Sequence, residues 1–404
     1  MDVIHQEFRV GFRYPVHFTR GVFSPDNAVL ASVVERQRSG PSDAVAVVDD
    51  GVVRAHPGVT TDIEAYADRH DERLRLAAPV VIIPGGEQAK NGPRTFEMVL
   101  EHLHAAGLCR HSYVMAVGGG AVLDVVGYAA ATAHRGIRLI RVPTTVLGQA
   151  DSAVGVKNGI NAFGLKNYLG VFAPPAAVIN DSAFLETLED RDWRGGVTEA
   201  VKVALVKDPA FFDAIERDAA SLLARDVSAM DRLIRRSAAL HLSHISGGDP
   251  FESGSSRPLD FGHWAAHKLE SLTGGAIRHG EAVGIGIALD ITYAYLTGLL
   301  GEGDWQRILR VLHALGLAIH VPELESSTDD PDHSGSLFRG LAEFREHLGG
   351  ELTVMMLRGI GRPVDLHAID TTVMKRAIEL LGRISSAGGV PVASLAGADR
   401  EVRQ

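Results

Sequence analysis

The stretch YVMAVGGGAVLDVVGYAAATAH, residues 113–134, decides the fold. It opens with an apolar run of strand length and turns on Gly118, Gly119 and Gly120. It then continues as an Ala-rich apolar segment that reads as a buried helix. Strand, glycine turn and helix make half of a βαβ unit, and the same alternation extends in both directions. AVAVVDD (44–50) and VVIIPGGEQ (80–88) predict earlier parallel strands, and TFEMVLEHLHAAGL (95–108) predicts an amphipathic helix ending at Gly107. IRLIRVPTT (137–145) and AAVIND (176–181) predict later strands, while EFRVGFRYPVHF (7–18) alternates like a half-buried strand pair. Residues 1–181 are therefore expected to form an α/β doubly wound parallel sheet.

From Phe184 onward the pattern turns mostly helical, with segments near 195–207, 209–224, 227–246, 261–272, 279–299, 303–315 and 371–384. One short apolar run, ELTVMML (351–357), reads as a strand. The expected division is an α/β domain over 1–181, an α-helical domain over 182–385, and a small, polar, aperiodic tail over 386–404 that frays.

Composition narrows the function. The 404 residues carry 40 Lys plus Arg against 50 Asp plus Glu, a net charge of -10. That balance lacks the basic footprint of a nucleic-acid binder, so any ligand phosphate must be held by a few local cations. A single cysteine, Cys109, excludes an intramolecular disulfide and a multi-cysteine zinc knuckle. With 18 histidines, a metal site would be built from imidazole and carboxylate. No basic-then-apolar leader is visible at the start, and no apolar run reaches the ~18 residues that span a membrane. The expectation is a soluble cytoplasmic protein with neither nucleic-acid nor membrane partners.

Two groups of residues carry candidate chemistry. Gly118–Gly120 would let the backbone approach a pyrophosphate seated on the positive end of a helix, although the spacing is not GxGxxG. A tight turn without a ligand is the alternative reading of these glycines alone. Asp49, Glu87, Lys90, Thr144 and Thr145 fall at other strand ends on the same sheet edge, and they favour a dinucleotide cleft. In the second half, His263 and His267 share a helical face, while Glu199 and His279 lie on other helices. Two histidines and a carboxylate from separate helices suit a catalytic zinc; capping or core histidines are the alternative. The Gly-rich stretch 151–170 gathers Asp151, Lys157, Asn161, Lys166 and Asn167, which suits a solvated turn or a phosphate cradle. Lys202 falls one helical turn from Glu199.

GGEQAK (85–90), GGGAVLDVVGYAAATAHRG (118–136), PTTVLGQADSAVGVKNGINAFGLKN (143–167), TEAVK (198–202), DFGHWAAH (260–267) and HGEAV (279–283) follow one another over about residues 40–290. In these segments the chain resembles the sugar phosphate cyclases, the family of 3-dehydroquinate synthase. The resemblance implies an NAD-binding N-terminal domain, a helical metal-binding C-terminal domain, an active site between them, and a homodimer. It implies Glu199, His263 and His279 as ligands of Zn²⁺ or Co²⁺. It implies Asp151, Lys157, Asn167, Lys202 and His267 as catalytic groups, with Lys166 on the phosphate and Arg135 reaching the partner subunit's substrate phosphate. NAD contacts would include Asp49, Glu87, Lys90, Gly118, Gly119, Gly120, Asp124, Thr144 and Thr145.

The implied reaction makes the enzyme a carbon–oxygen lyase. A ring hydroxyl is oxidised, phosphate leaves by β-elimination, and the ketone is reduced. The ring then opens and an intramolecular aldol closes a carbocycle, with NAD regenerated each turnover.

The chain departs from dehydroquinate synthases where those hold a substrate carboxylate. In an ungapped reading the two basic positions are Leu242 and Ser256, and a family Asn becomes Asp260. Losing two cations and gaining an anion disfavours a carboxylated sugar acid and favours sedoheptulose 7-phosphate, with a valiolone-type cyclitol as product. Arg257, one residue from the basic position, and Arg358 in a late loop are the cations that a register shift would restore. His267 stands where 2-epi-5-epi-valiolone synthases carry Pro, which points to a branch resembling 2-epi-valiolone synthase. The alternatives are 3-dehydroquinate synthase itself, a metal-dependent polyol or glycerol dehydrogenase, and a non-catalytic NAD-binding protein.

Overall fold

The computed structural model describes residues 3–37, 40–163, 165–247, 251, 260–347 and 350–387. The chain divides into two compact units. One holds residues up to Thr144 and Ser152–Phe184; the other holds Thr145–Asp151 and the chain from Leu185. The tail expected to fray lies almost wholly outside the described residues, as do Ser256 and Arg257.

The first unit is built on a parallel sheet. Its strands are β1 (Val16–Thr19), β2 (Ser42–Asp49), β3 (Leu74–Leu76), β4 (Val81–Ile83), β5 (Tyr113–Gly118), β6 (Arg138–Pro143) and, after a separate hairpin, β9 (Ala177–Asp181). The order is β1-β9-β6-β5-β2-β3, with β4 on the C-terminal half of β2. Every pairing is parallel. Helices α1 (Val29–Val33), α2 (Asp50–Ala55), α3 (Val59–Arg69), α4 (Arg94–Ala105) and α5 (Gly120–Thr132) connect the strands. Both faces of β2 and β5 are covered, which is why AVAVV and YVMAV are unbroken apolar runs. Leu30, Ile63, Tyr66, Met115, Val142 and Ile179 pack into one core.

Two sequence expectations fail here. Of EFRVGFRYPVHF only Val16 onward forms strand, pairing with β9; Phe8, Val10 and Phe12 are exposed. Alternation marks a strand only where a partner exists, and among the described residues the register with β9 starts at Val16. The Gly-rich stretch 151–170, read as a loop, contains an antiparallel hairpin of β7 (Lys157–Ala162) and β8 (Leu165–Phe172). Gly159 and Gly170 are strand residues in close contact: a Cβ on Gly159 would stand 2.7 Å from the Leu169 carbonyl oxygen.

The second unit is mostly helical: α6 (Asp190–Lys207), α7 (Pro209–Leu223), α8 (Val227–Ser246), α9 (His263–Leu272), α10 (His279–Leu296), α11 (Glu302–Ala314), α12 (Arg339–His347) and α13 (Thr371–Ser386). The run read as a strand at 351–357 forms β10 (Val354–Leu357), paired antiparallel with β11 (Pro363–Leu366). Helix α10 is buried from Ala282 through Tyr295, as its apolar residues on every side require. It packs against α6, α9, α11 and α13.

Candidate active site

Three ligand-type side chains from α6, α9 and α10 meet inside the helical unit. Glu199, His263 and His279 each offer an atom within 4.8 Å of the others. His263 Nε2 lies 3.7 Å and His279 Nε2 3.6 Å from Glu199 Oε1. Each imidazole has its other nitrogen engaged. His263 Nδ1 bonds the Phe261 carbonyl and His279 Nδ1 bonds Glu270 Oε2, both at 3.1 Å. Those bonds place the proton on Nδ1 and aim the Nε2 lone pair at the carboxylate. Burial holds the His263 imidazole neutral, well below its ordinary pKa.

Glu199 Oε1 is buried and has no hydrogen-bond partner among the described residues. Two lone pairs facing a buried carboxylate oxygen without a donor is a repulsive arrangement by itself. Spacings of 3.6–3.7 Å are too long for hydrogen bonds. They approach the roughly 3.3–3.4 Å that separates ligands on a tetrahedron with 2.0–2.1 Å bonds. The residues present fit a divalent cation.

Glycine contacts set these helices at that separation. A Cβ on Gly280, beside His279, would stand 2.1 Å from the Gly195 oxygen on α6. A Cβ on Gly286 would stand 2.0 Å from the oxygen of Gly262, the residue before His263. Gly262 itself has φ of 77°, which starts α9 in a left-handed conformation. The Asp290 carboxylate, buried in α10, accepts from Gly262 N at 3.1 Å and Trp264 Nε1 at 2.8 Å and pins that start.

Beside the triad lies a charged cluster. Lys202 Nζ pairs with Glu199 Oε2 across one turn of α6. Burial alone would lower the Lys202 ammonium, but Glu199, Asp151 and Asp260 around it raise it above an ordinary lysine. Asp151 carries His241: Nδ1 lies 2.6 Å from Oδ1. Burial would raise the Asp151 carboxyl, yet His241 and Lys202 outweigh it and hold it well below the ordinary range. The His267 ring stands 5.5 Å from His263 and 6.1 Å from His279, centroid to centroid.

The first unit holds the other expected group. Gly118–Gly120 join β5 to α5, whose N-terminus has no side-chain cap. Cβ atoms on Gly118 and Gly120 would stand 2.8 Å from Val122 and Ser152 side-chain atoms, so the turn needs glycine. A bare 13-residue helix start behind a glycine turn fits a dinucleotide pyrophosphate. Asp49, expected on the ribose, accepts from Gly51 N at 2.7 Å and caps α2. Glu87, Lys90, Asp124, Lys166 and Asn167 form one network. Lys90 Nζ lies 2.6 Å from Asp124 Oδ2 and also bonds Asn167 Oδ1. Lys166 lies 3.6 Å from Glu87, and Asn161 donates to Glu87 and accepts from Asn167 N. Thr144 is buried, its N–H on the Gly118 carbonyl.

Four expected residues remain. Lys157 is exposed on β7, and Arg135 is exposed with φ of 64° just after α5. Arg358 is exposed in the β10–β11 turn, and Thr145 Oγ1 accepts from Gly148 N.

Sequence reasoning missed His241, Glu270, Asp290 and Arg141. Glu270 falls one turn after His267, so the His-x-x-Glu spacing was its available signal. His241 and Asp290 sit in ordinary helical stretches without any. Arg141, buried inside a parallel strand, was visible as the second of two arginines within IRLIRVP. It donates to the Ala153, Gly155 and Lys157 carbonyls and to Asn158 Oδ1.

Comparison with known proteins agrees with this organisation. Residues 80–195 match the model for the N-terminal part of 3-dehydroquinate synthase, and residues 196–331 match the model for its C-terminal part. The 3-dehydroquinate synthase of Pelobacter propionicus is 37% identical over 74% of this chain and 82% of its own. The 2-epi-5-epi-valiolone synthase of Streptomyces glaucescens is 34% identical over 92% of each chain. Among solved structures, a 2-epi-5-epi-valiolone synthase from Streptomyces hygroscopicus with NAD⁺ and Zn²⁺ bound superposes with a TM-score of 0.82 at 30% identity. It covers 94% of this chain and 99% of its own.

Proposed function

The chain belongs to the 3-dehydroquinate synthase family, and from that premise we propose an NAD- and divalent-metal-dependent sugar phosphate cyclase that converts sedoheptulose 7-phosphate to a C7 cyclitol with loss of phosphate. The observation that carries this reading is the convergence of Glu199, His263 and His279 on one point, with both Nε2 atoms facing an unbonded carboxylate oxygen. Their donor set would hold Zn²⁺ or Co²⁺, and Gly118–Gly120 with the α5 N-terminus would seat the NAD pyrophosphate. When bound, the ion supplies Lewis acidity at a substrate oxygen and the nicotinamide supplies reversible hydride transfer.

The chain's own groups do the rest. Lys202, kept cationic by three carboxylates, steadies an oxyanion. Asp151, kept ionised, accepts a hydrogen bond from a substrate hydroxyl. Asn167 has its amide oxygen engaged by Lys90, so its Nδ2 would donate to a phosphate oxygen. Lys157 and Lys166 supply charge to the same phosphate, and Arg135 would serve the neighbouring protomer of a homodimer.

The substrate assignment rests on Leu242 and on Asp260 near Lys202, which give a substrate carboxylate poor reception. Incubation of the purified chain with sedoheptulose 7-phosphate, catalytic NAD⁺ and Zn²⁺ or Co²⁺ is the test. The expected result is inorganic phosphate without net NADH, and NMR identifies the cyclitol. Phosphate release from a carboxylated C7 sugar phosphate alone would establish the dehydroquinate synthase reaction instead. Stoichiometric NADH from a polyol, or no phosphate from any C7 sugar phosphate, would overturn the cyclase reading.

A further inference from the structure

We propose that His241, oriented by Asp151, reads the non-phosphorylated end of the substrate through a hydrogen bond to a hydroxyl or ketone there, and so selects a polyol end over a carboxylate. This rests on the cyclase reading above and adds the residue that sets its specificity.

Geometry supplies the first argument. His241 lies on α8, next in sequence to Leu242, while Asp151 precedes the α6 region by more than thirty residues. Their 2.6 Å contact joins α8 to the cluster that contains Lys202 and Glu199. Among the described residues Asp151 is the polar partner of His241, and it engages Nδ1. Nε2 therefore remains for a ligand. Both side chains keep some contact with solvent, 15% for His241 and 22% for Asp151, whereas Lys202 and Glu199 behind them are almost closed off at 4% and 1%. The imidazole stands at the accessible side of the charged cluster.

Charge supplies the second argument. Lys202 already faces three carboxylates, Glu199, Asp151 and Asp260. Counting one divalent ion held by Glu199 and the two histidines, these groups come to no net charge. A substrate carboxylate would make the cluster anionic, and Leu242, which stands at a basic position of dehydroquinate synthases, offers it no cation. A neutral His241, donating its Nδ1–H to Asp151, adds no cation to that count. A hydroxyl or ketone needs only a donor or acceptor, which an imidazole nitrogen held in one tautomer provides. Selection then follows from the charge the site does not supply as much as from the bond it makes.

The experiment compares wild type, His241→Leu and His241→Asn in the holoenzyme. Phosphate release is followed with sedoheptulose 7-phosphate and with a carboxylated C7 sugar phosphate, and bound zinc, NAD and thermal unfolding are measured for each protein. His241→Leu is expected to lower kcat/KM for sedoheptulose 7-phosphate by about 10- to 100-fold. Its zinc and NAD contents should stay unchanged and its preference over the carboxylated substrate should narrow. His241→Asn keeps a donor for Asp151 and a polar atom for the ligand, so it should recover part of the loss. Equal loss on both substrates with zinc lost would mean a structural role and overturn the proposal. So would an unchanged preference in an active His241→Leu enzyme, or an Asn variant no better than Leu. A wild type inert toward every C7 sugar phosphate would instead bring down the cyclase reading, and this inference with it.

Discussion

Gly280 and Gly195 lie so close that a single added methyl group on Gly280 would stand 2.1 Å from the Gly195 carbonyl oxygen. The contact couples α10 to α6 one residue from His279 and one turn from Glu199, so it sets the distance between two candidate ligands.

Gly280→Ala should therefore separate the helices. We expect a destabilisation of about 1–3 kcal/mol from overpacking and a 10- to 100-fold loss of zinc affinity from displaced ligands. Zinc titration against a chromogenic chelator checks it; unchanged affinity would mean that the α6–α10 contact does not position the site.

Metal should stabilise the fold through the same three residues. Zn²⁺ at about 100 times its Kd should add about 2.7 kcal/mol to a chelator-stripped chain, read as a rise in Tm. Glu199→Gln and His263→Ala should each abolish that rise. A zinc-dependent shift that survives both substitutions would place the ion elsewhere.

Asp290 makes stability depend on pH. Burial pushes its carboxyl up to about 7 in the fold, while the bonds from Trp264 and Gly262 oppose the shift. The folded chain then binds a proton more tightly than the unfolded one. This contribution is present in full below pH ~4 and is lost as pH rises toward 7. Asp290→Asn removes the titration but leaves one of the two donors without an acceptor, at about 1–3 kcal/mol. The variant should be less stable than wild type at pH 5, and the gap should narrow by pH 8. Urea unfolding at both pH values checks this, and a constant gap would refute it.

Arg141→Met should cost at least about 3 kcal/mol, because three backbone carbonyls and Asn158 lose their donor inside the sheet unit. Arg141→Lys should recover little, since one ammonium does not reproduce the guanidinium fork. Equal urea midpoints for Met and wild type would contradict this account.

Leu242→Lys combined with Ser256→Arg should raise kcat/KM for a carboxylated C7 sugar phosphate relative to sedoheptulose 7-phosphate, by about tenfold or more for a newly paired charge. Unchanged discrimination would mean that these positions do not face the substrate's head group.

The parallel sheet and the helical half were legible because their signals are local. A strand covered on both faces has to be continuously apolar, as AVAVV and YVMAV are, and α10 has to be apolar all round because it is central. Glu199, His263 and His279 were recognisable as ligand types on separate helices, and His263 with His267 as sharing a face. What a residue sequence does not carry is the partner. Alternation in residues 7–18 could not reveal that the strand register with β9 starts at Val16, and the glycines of 151–170 read as a loop although Gly159 packs against Leu169. Asp290 and His241 look like ordinary helical polar residues; their importance comes from Gly262, Trp264 and Asp151, which folding brings to them from elsewhere in the chain. Residue chemistry and periodicity thus determined the elements and the kinds of ligand. Helix separation, imidazole tautomers and the pairing of buried charge were decided only by tertiary packing, because each depends on distances between atoms far apart along the chain.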